Sequence, residues 1–258
     1  MNDPKDYLLI AHRGERVLSP ENTLEACKLA LKQGATGLEV DVRLCQSGEM
    51  VLLHDPLLYK HFRELKPVAA SSLPELKSLR FSSGNYRYPG KICTMEEFLE
   101  EFRGTVPINL DAKFWGINPF RFAKKIINLV DRLKIRDQVW ISSFNPFLLR
   151  QLKNIKPTVR TGYLFQDPVR VYQMIDPFLD SDAWHPHYKN ATPQLIEKAH
   201  RLKKEIYIWT VNTEAVMKRI NGFEFHGIIS DTLFRTRPFS LNSRPDIEVK
   251  KANQPGKK

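Results

Sequence analysis

Two histidines, His12 and His54, three acids, Glu39, Asp41 and Asp111, and two cations, Arg13 and Lys113, fall at or near the ends of short apolar runs in the first half of the chain. Glu39 and Asp41 are two residues apart, as are Asp111 and Lys113, and alternation along a strand puts each pair on one face. Together these residue types suit metal-assisted chemistry on a phosphoryl ester. Three hard carboxylate groups with room for water fit Mg²⁺ or Ca²⁺ rather than zinc, and a divalent ion neutralises charge on phosphoryl oxygens. Arg13 can grip two such oxygens through its planar fork, and Lys113 adds a point charge. Two histidines titrate near neutrality, so one can take a proton while the other gives one to a departing alcohol.

Taken singly, each residue has an ordinary structural explanation. A lone histidine at a strand end is more often a hydrogen-bonded structural residue, and an acidic pair at i, i+2 can be an exposed edge face. The set resists that reading once the fold gathers it, because buried unpaired carboxylates are costly.

Short apolar runs alternate with helical patterns along nearly the whole length, which points to a parallel α/β fold. Strands are predicted at 7–11, 37–42, 106–111, 138–142, 160–165, 182–185, 205–211 and 226–230. Helices are predicted at 23–33, 120–133, 146–154, 192–203 and 214–221, and a capping box at Thr94-Met95-Glu96-Glu97 opens another. Eight parallel strands with helical crossovers is the count of a closed (β/α)8 TIM barrel, whose catalytic groups sit at the C-terminal strand ends. A further strand-like run, 50–54, follows Val42 too closely for a parallel crossover. It is therefore predicted to return antiparallel, as a β-hairpin arm turned at Ser47-Gly48 that brings His54 back beside the second strand. The expected organisation is one barrel domain, 1–239, with a small insertion at 55–105 after the second barrel strand. A basic tail, 240–258, is read as disordered.

The 258 residues, 42% of them hydrophobic, suffice for one sizeable core. Forty Lys and Arg against 29 Asp and Glu give a net charge of +11, of which the tail holds +3. No block of five like charges occurs, so this is a solvated basic surface. Such a surface attracts anionic small-molecule substrates and is compatible with peripheral contact with an anionic membrane surface. A nucleic-acid binder would concentrate basic residues among aromatics, and no such patch is present. Cys27, Cys45 and Cys93 form no CxxC pair, and an odd count makes a poor disulfide framework. The apolar stretch 7–11 is too short for a signal peptide, and no run approaches the 18 apolar residues of a membrane span. These readings point to the cytoplasm and leave the oligomeric state open.

The motifs, in order, are His12-Arg13-Gly14, Pro20-Glu21-Asn22-Thr23, Glu39-Val40-Asp41-Val42 and His54-Asp55-Pro56, then Asp111-Ala112-Lys113, Ser142-Ser143-Phe144, Trp209-Thr210-Val211-Asn212 and Gly227-Ile228-Ile229-Ser230-Asp231. In order and spacing this series resembles the glycerophosphodiester phosphodiesterase signature over roughly residues 7 to 235. The resemblance implies a metal-dependent barrel hydrolase that releases glycerol 3-phosphate and an alcohol. It implies catalytic roles for His12 and His54, metal binding by Glu39, Asp41 and Asp111, and phosphate binding by Arg13 and Lys113. The chain departs from the family pattern in three places. Asp111 stands where Glu is usual, 57–62 replaces the common continuation after Pro56, and Ser230-Asp231-Thr232 closes the series in place of Thr-Asp-Pro. Alternatives are lysophospholipase-D-like cleavage of a lipid phosphodiester, or a non-catalytic phosphodiester-binding barrel, although no catalytic group has been lost.

Three lesser candidates remain. Trp209, on the seventh strand, is placed as a substrate-contacting wall, with a buried core position as the alternative. His185 and His187 flank Pro186 and are weighed as a metal pair or as contacts to the alcohol. Glu21 lies in a helix N-cap segment and is a candidate partner for the site.

Overall fold

In a computed structural model of the chain, which describes residues 7–82, 86–115, 118–166 and 169–232 (169–173 in their backbone only), eight parallel strands close into a barrel. They are β1 (Leu8–His12), β2 (Gly37–Leu44), β4 (Ile108–Ala112), β5 (Val139–Ser143), β6 (Thr161–Phe165), β7 (Ala183–Pro186), β8 (Glu205–Ile208) and β9 (Gly227–Ser230). Each pairs with the next, and β1 pairs with both β9 and β2, which closes the ring. The ninth strand, β3 (Met50–Leu52), runs antiparallel to the far end of β2, with Val42 opposite Leu52. The hairpin arm is thus present and ends at Leu52, leaving His54 just beyond it.

The helices form where apolar residues recur at helical spacing behind a capping residue. In α1 (Leu24–Lys32), Thr23 accepts a hydrogen bond from the Ala26 amide. In α5 (Phe120–Leu133), Phe122, Ala123, Ile126, Ile127, Val130 and Leu133 lie on one buried face. Asn145, Thr192 and Thr213 cap α6 (Pro146–Ile155), α8 (Pro193–Arg201) and α9 (Glu214–Ile220), and α6 and α8 each carry a proline in their first turn. One barrel helix is absent from the sequence reading, α7 (Val169–Leu179). It contains Pro177, and a proline normally argues against a helix interior.

Residues 55–105 divide in two. Helices α2 (Tyr59–Phe62) and α3 (Leu73–Ser78) pack on a small apolar cluster of their own that includes Val51, Leu58, Phe62, Val68, Leu76 and Ile92. In α4 (Met95–Glu101), by contrast, Met95, Phe98 and Leu99 join the main core between barrel and helices, so α4 is the crossover to β4. The tail 240–258 lies outside the described residues. No helix among the described residues is long and apolar enough to cross a membrane.

Inside the barrel, Ile10, Trp140, Ala183, Tyr207 and Ile229 make an apolar layer. Two residues further along, the same inward-facing register places His12, Ser142, His185, Trp209 and Asp231. His185 is fully buried and accepts a hydrogen bond from Trp140 Nε1 at 3.2 Å. Its ring covers Gly162, where an added Cβ would come within 2.4 Å of His185 Nε2. Burial pushes the His185 imidazole down to about 3. The unfolded chain therefore binds a proton there that the folded chain refuses. The stabilising difference is fully present above the ordinary value of 6.5 and is lost as pH falls toward 3, at up to about 1.4 kcal/mol per pH unit. Urea unfolding of the native chain and of His185→Gln at pH 7 and pH 5 should show a smaller acid loss in the variant. Parallel losses would mean that His185 does not stay neutral in the fold.

Candidate active site

The first strand ends in a turn that sequence and packing both demand. Arg13 and Gly14 take left-handed backbone angles, φ 62° and 81°. A Cβ at Gly14 would strike the Ala26 backbone at 2.6 Å, so only glycine lets the chain fold back onto α1. The turn points the Arg13 amide at Glu39, donating to Oε2 at 3.1 Å. It also leaves the buried Arg13 side chain between Glu21 (Nη1 to Oε1, 3.2 Å) and Asp41 (Nε to Oδ2, 2.9 Å).

Glu39 and Asp41 on β2 and Asp111 on β4 face inward as expected. Each offers an oxygen within 4.8 Å of the others, and all three are buried. Among the described residues this is the one group of three convergent His, Cys, Asp or Glu ligands, and neither His185 nor His187 belongs to such a group. Burial and the neighbouring Asp41 and Asp111 charges push the Glu39 carboxyl well above its ordinary range. Asp111 is raised by burial and by Asp41, against the opposing pull of Lys113. Burial acts the same way on Asp41, yet Lys113 and Arg13 hold it well below the usual carboxylate range. Lys113 Nζ lies 3.0 Å from Asp41 Oδ1 and also pairs with Asp111.

The donor set fits a divalent ion. Asp111 Oδ1 is buried and accepts no hydrogen bond, and oxygen-only ligands suit a hard cation. Formally, three carboxylates against two cations leave one negative charge, and a divalent ion would turn the balance to one positive, matching a phosphodiester.

Both histidines are held in the same way. His12 Nδ1 lies 2.6 Å from Asp231 Oδ1, and His54 Nδ1 lies 2.8 Å from Asp55 Oδ1. Burial works against ionisation of Asp231, but His12 and Arg16 hold it well below its ordinary value; His54 and Lys60 do the same for Asp55. Ionised carboxylates only accept hydrogen bonds, so each imidazole carries its proton on Nδ1 and presents Nε2 to the site. His12 Nε2 is 3.9 Å from Glu39 Oε2. His54 lines a cavity of about 570 Å³ together with Lys113 and Arg43. Burial lowers the His54 imidazole, against the raising pull of Asp41. The backbone carbonyl of His54 accepts from Arg43 Nε and Nη2 at 2.8 and 2.5 Å, which fixes the end of the hairpin arm.

Trp209 is half-buried. It donates from Nε1 to the His185 carbonyl at 2.7 Å and meets Phe144 edge-on at 5.5 Å. Phe144 lines the cavity, and Trp209 packs edge-on against it. Several contributors were not singled out in the sequence. Asn22 reaches Asp41 twice, its Nδ2 donating to Oδ2 and its Oδ1 accepting from the Asp41 amide, both at 2.9 Å. Arg16 bridges Asp231 and Glu21, and Asn212 Nδ2 donates to Asp231 Oδ2 at 2.7 Å. Glu21 also takes Lys60 and His61 from the insertion, at 3.2 and 3.3 Å. Asn22, Asn212 and Asp231 lay within recognised motifs, whereas Arg16 and His61 carried no local signal.

A barrel with two Asp-oriented histidines and a buried acidic trio at its C-terminal rim defines a hydrolase of the metal-assisted class. The model of the glycerophosphoryl diester phosphodiesterase family matches residues 12–233, and the chain belongs to that family of phosphoric diester hydrolases. It is 29% identical over 232 residues to a glycerophosphodiester phosphodiesterase of Caldanaerobacter subterraneus, covering 87% of this chain and 93% of that one. Its fold superposes on an Oleispira antarctica phosphodiesterase solved in complex with the product sn-glycerol-3-phosphate. There the TM-score is 0.81 and the identity 25%, over 89% of this chain and 94% of that one. A glycerophosphodiester phosphodiesterase from Thermotoga maritima gives a TM-score of 0.72 at 25% identity, over 88% and 95%.

Asn22→Ala removes both hydrogen bonds to Asp41. Losing a partner that orients a ligand typically costs roughly 10- to 100-fold in metal affinity. Calorimetric titration of the folded variant with Mg²⁺ and Ca²⁺ should show that loss, and unchanged affinity for both ions would show that Asp41 needs no such support.

Proposed function

We propose that the chain hydrolyses glycerophosphodiesters to glycerol 3-phosphate and an alcohol, with His12 and His54 as the proton-transfer pair. The observation that carries this reading is the repeated Asp–His arrangement, Asp231–His12 and Asp55–His54, beside one acidic trio. Glu39, Asp41 and Asp111 would hold Mg²⁺ or Ca²⁺, which when bound supplies positive charge to the phosphoryl oxygens. Arg13 and Lys113, already anchored by the carboxylates, extend that positive field to the substrate phosphate. Trp209, packed edge-on against Phe144, is assigned as a substrate-contacting wall. One imidazole Nε2 takes the proton of the nucleophile, either water or the substrate's own glycerol hydroxyl. The other delivers a proton to the leaving oxygen as the P–O bond breaks and its electron pair departs with the alcohol. Asp231 and Asp55 hold each ring in the required tautomer and favour the imidazolium once it forms.

The net charge of +11 supports attraction of anionic substrates and of an anionic membrane surface. A cytoplasmic setting accords with three cysteines that are all buried free thiols.

Chelation should abolish turnover of glycerophosphodiesters, and Mg²⁺ or Ca²⁺ should restore it; full activity in excess chelator contradicts the metal assignment. His12→Ala and His54→Ala should each lower turnover by roughly 10²–10⁴-fold, and the double variant should be far less impaired than the product of the two losses. On an ester with a nitrophenolate leaving group, which departs without a proton, only the variant lacking the base should remain crippled. Equal damage to both variants on both substrates would refute the division of labour.

A further inference from the structure

The cavity that receives His54 and Lys113 has an unusual balance of chemistry. Its walls are Pro56, Phe114, Trp115, Phe144, Pro146 and Phe147. Its charged lining groups are Lys113 and Arg43, and among the described residues that line it none carries a carboxylate. The acids beneath already engage Arg13 and Lys113. The apolar lining also continues outward. Pro146 and Phe147 form part of a second groove of about 550 Å³ that runs along Ile175, Pro177 and Phe178 of α7.

From this juxtaposition we infer that the alcohol released by this enzyme is apolar and uncharged, in preference to a cationic amino alcohol. The inference rests on the phosphodiesterase reading, and it assigns to His54, the histidine that lines this cavity, the proton delivered to the leaving oxygen. Among the described lining residues an ammonium group meets two cations and no carboxylate. An alkyl or aryl group buries its surface against aromatic rings. A short apolar alcohol fills the first cavity, and a long chain would continue over Phe147 into the second groove.

The test uses the full chain loaded with Mg²⁺ or Ca²⁺ and a matched set of glycerol 3-phosphate esters. The propyl and aminoethyl esters have the same size and differ by one charge, and repulsion at this range should favour the propyl ester by roughly tenfold or more in kcat/KM. Along linear alkyl esters from ethyl to hexyl, kcat/KM should rise by up to about fourfold per methylene. Dodecyl esters separate the two sources of such an alcohol: a continued rise identifies a lipid chain lying in both grooves, and a plateau at hexyl identifies a small apolar alcohol. Trp115 and Phe178 are 82% and 74% exposed, so substituting them should leave the fold intact, as thermal melting would verify. Trp115→Ala should flatten the alkyl series, and Phe178→Ser should leave turnover of the ethyl ester unchanged while lowering only the dodecyl rate where the chain reaches that groove. Phe147→Glu should raise the aminoethyl ester relative to the propyl ester. An aminoethyl ester hydrolysed as fast as the propyl ester, or a flat alkyl series, would overturn the inference while leaving the phosphodiesterase reading standing. No turnover of any ester would overturn both.

Discussion

Three carboxylates crowded into a buried space are the constraint on which the rest of this structure depends. With oxygens within 4.8 Å of one another, two full charges repel by roughly 3–4 kcal/mol at an effective dielectric of about 20. The fold answers with cations and hydrogen bonds supplied by several different elements. Arg13 comes from the turn after β1, Asn22 from the segment before α1, and Lys113 from just beyond β4. The like-charge problem is thereby only partly resolved. Asp41 stays ionised between Lys113 and Arg13, while Glu39 and Asp111 are pushed upward by burial and by their neighbours. The site is short of positive charge by design, and the missing charge is the kind a divalent ion and its phosphodiester ligand supply together.

The second constraint is reach. A barrel strand delivers a side chain to its own rim position, and His54 belongs to no barrel strand. The chain solves this by extending β2 past the rim to Leu44 and returning along β3. Arg43, on the extended part of β2, then clamps the His54 carbonyl, and Asp55 fixes the ring. Because the insertion also sends Lys60 and His61 to Glu21, its small apolar cluster is tied to the residue that steadies Arg13. The hairpin and the insertion therefore set the position of one histidine and the orientation of the Arg13 guanidinium at once.

Much of this was legible in the sequence because it is written in short-range rules. Period-two alternation put Glu39 and Asp41 on one face and Leu38, Val40 and Val42 on the other, and the structure places the latter three in the core. The brief spacing between Val42 and Met50 permitted only a hairpin. Where the reading failed, the determinants were long-range or contradicted by a local signal. Pro177 concealed α7, which packing against the barrel sustains despite the missing amide. The pairing of Asp231 with His12 spans 219 residues of sequence, and no spacing rule reports a contact made by closing a ring.

The apolar layer beneath the site completes the logic. Ile10, Trp140, Tyr207 and Ile229 fill much of the barrel interior beneath it. His185, one step above that layer, is also kept neutral by burial. The trio and its cations therefore rest on a packed apolar floor at the C-terminal ends of the strands. Electrostatic interactions weaken least where water is excluded, so the same packing that stabilises the barrel also concentrates the field of Arg13 and Lys113 on whatever occupies the rim. Stability and chemistry share one cause here: an inward register that is apolar for its first step and ionisable for its second.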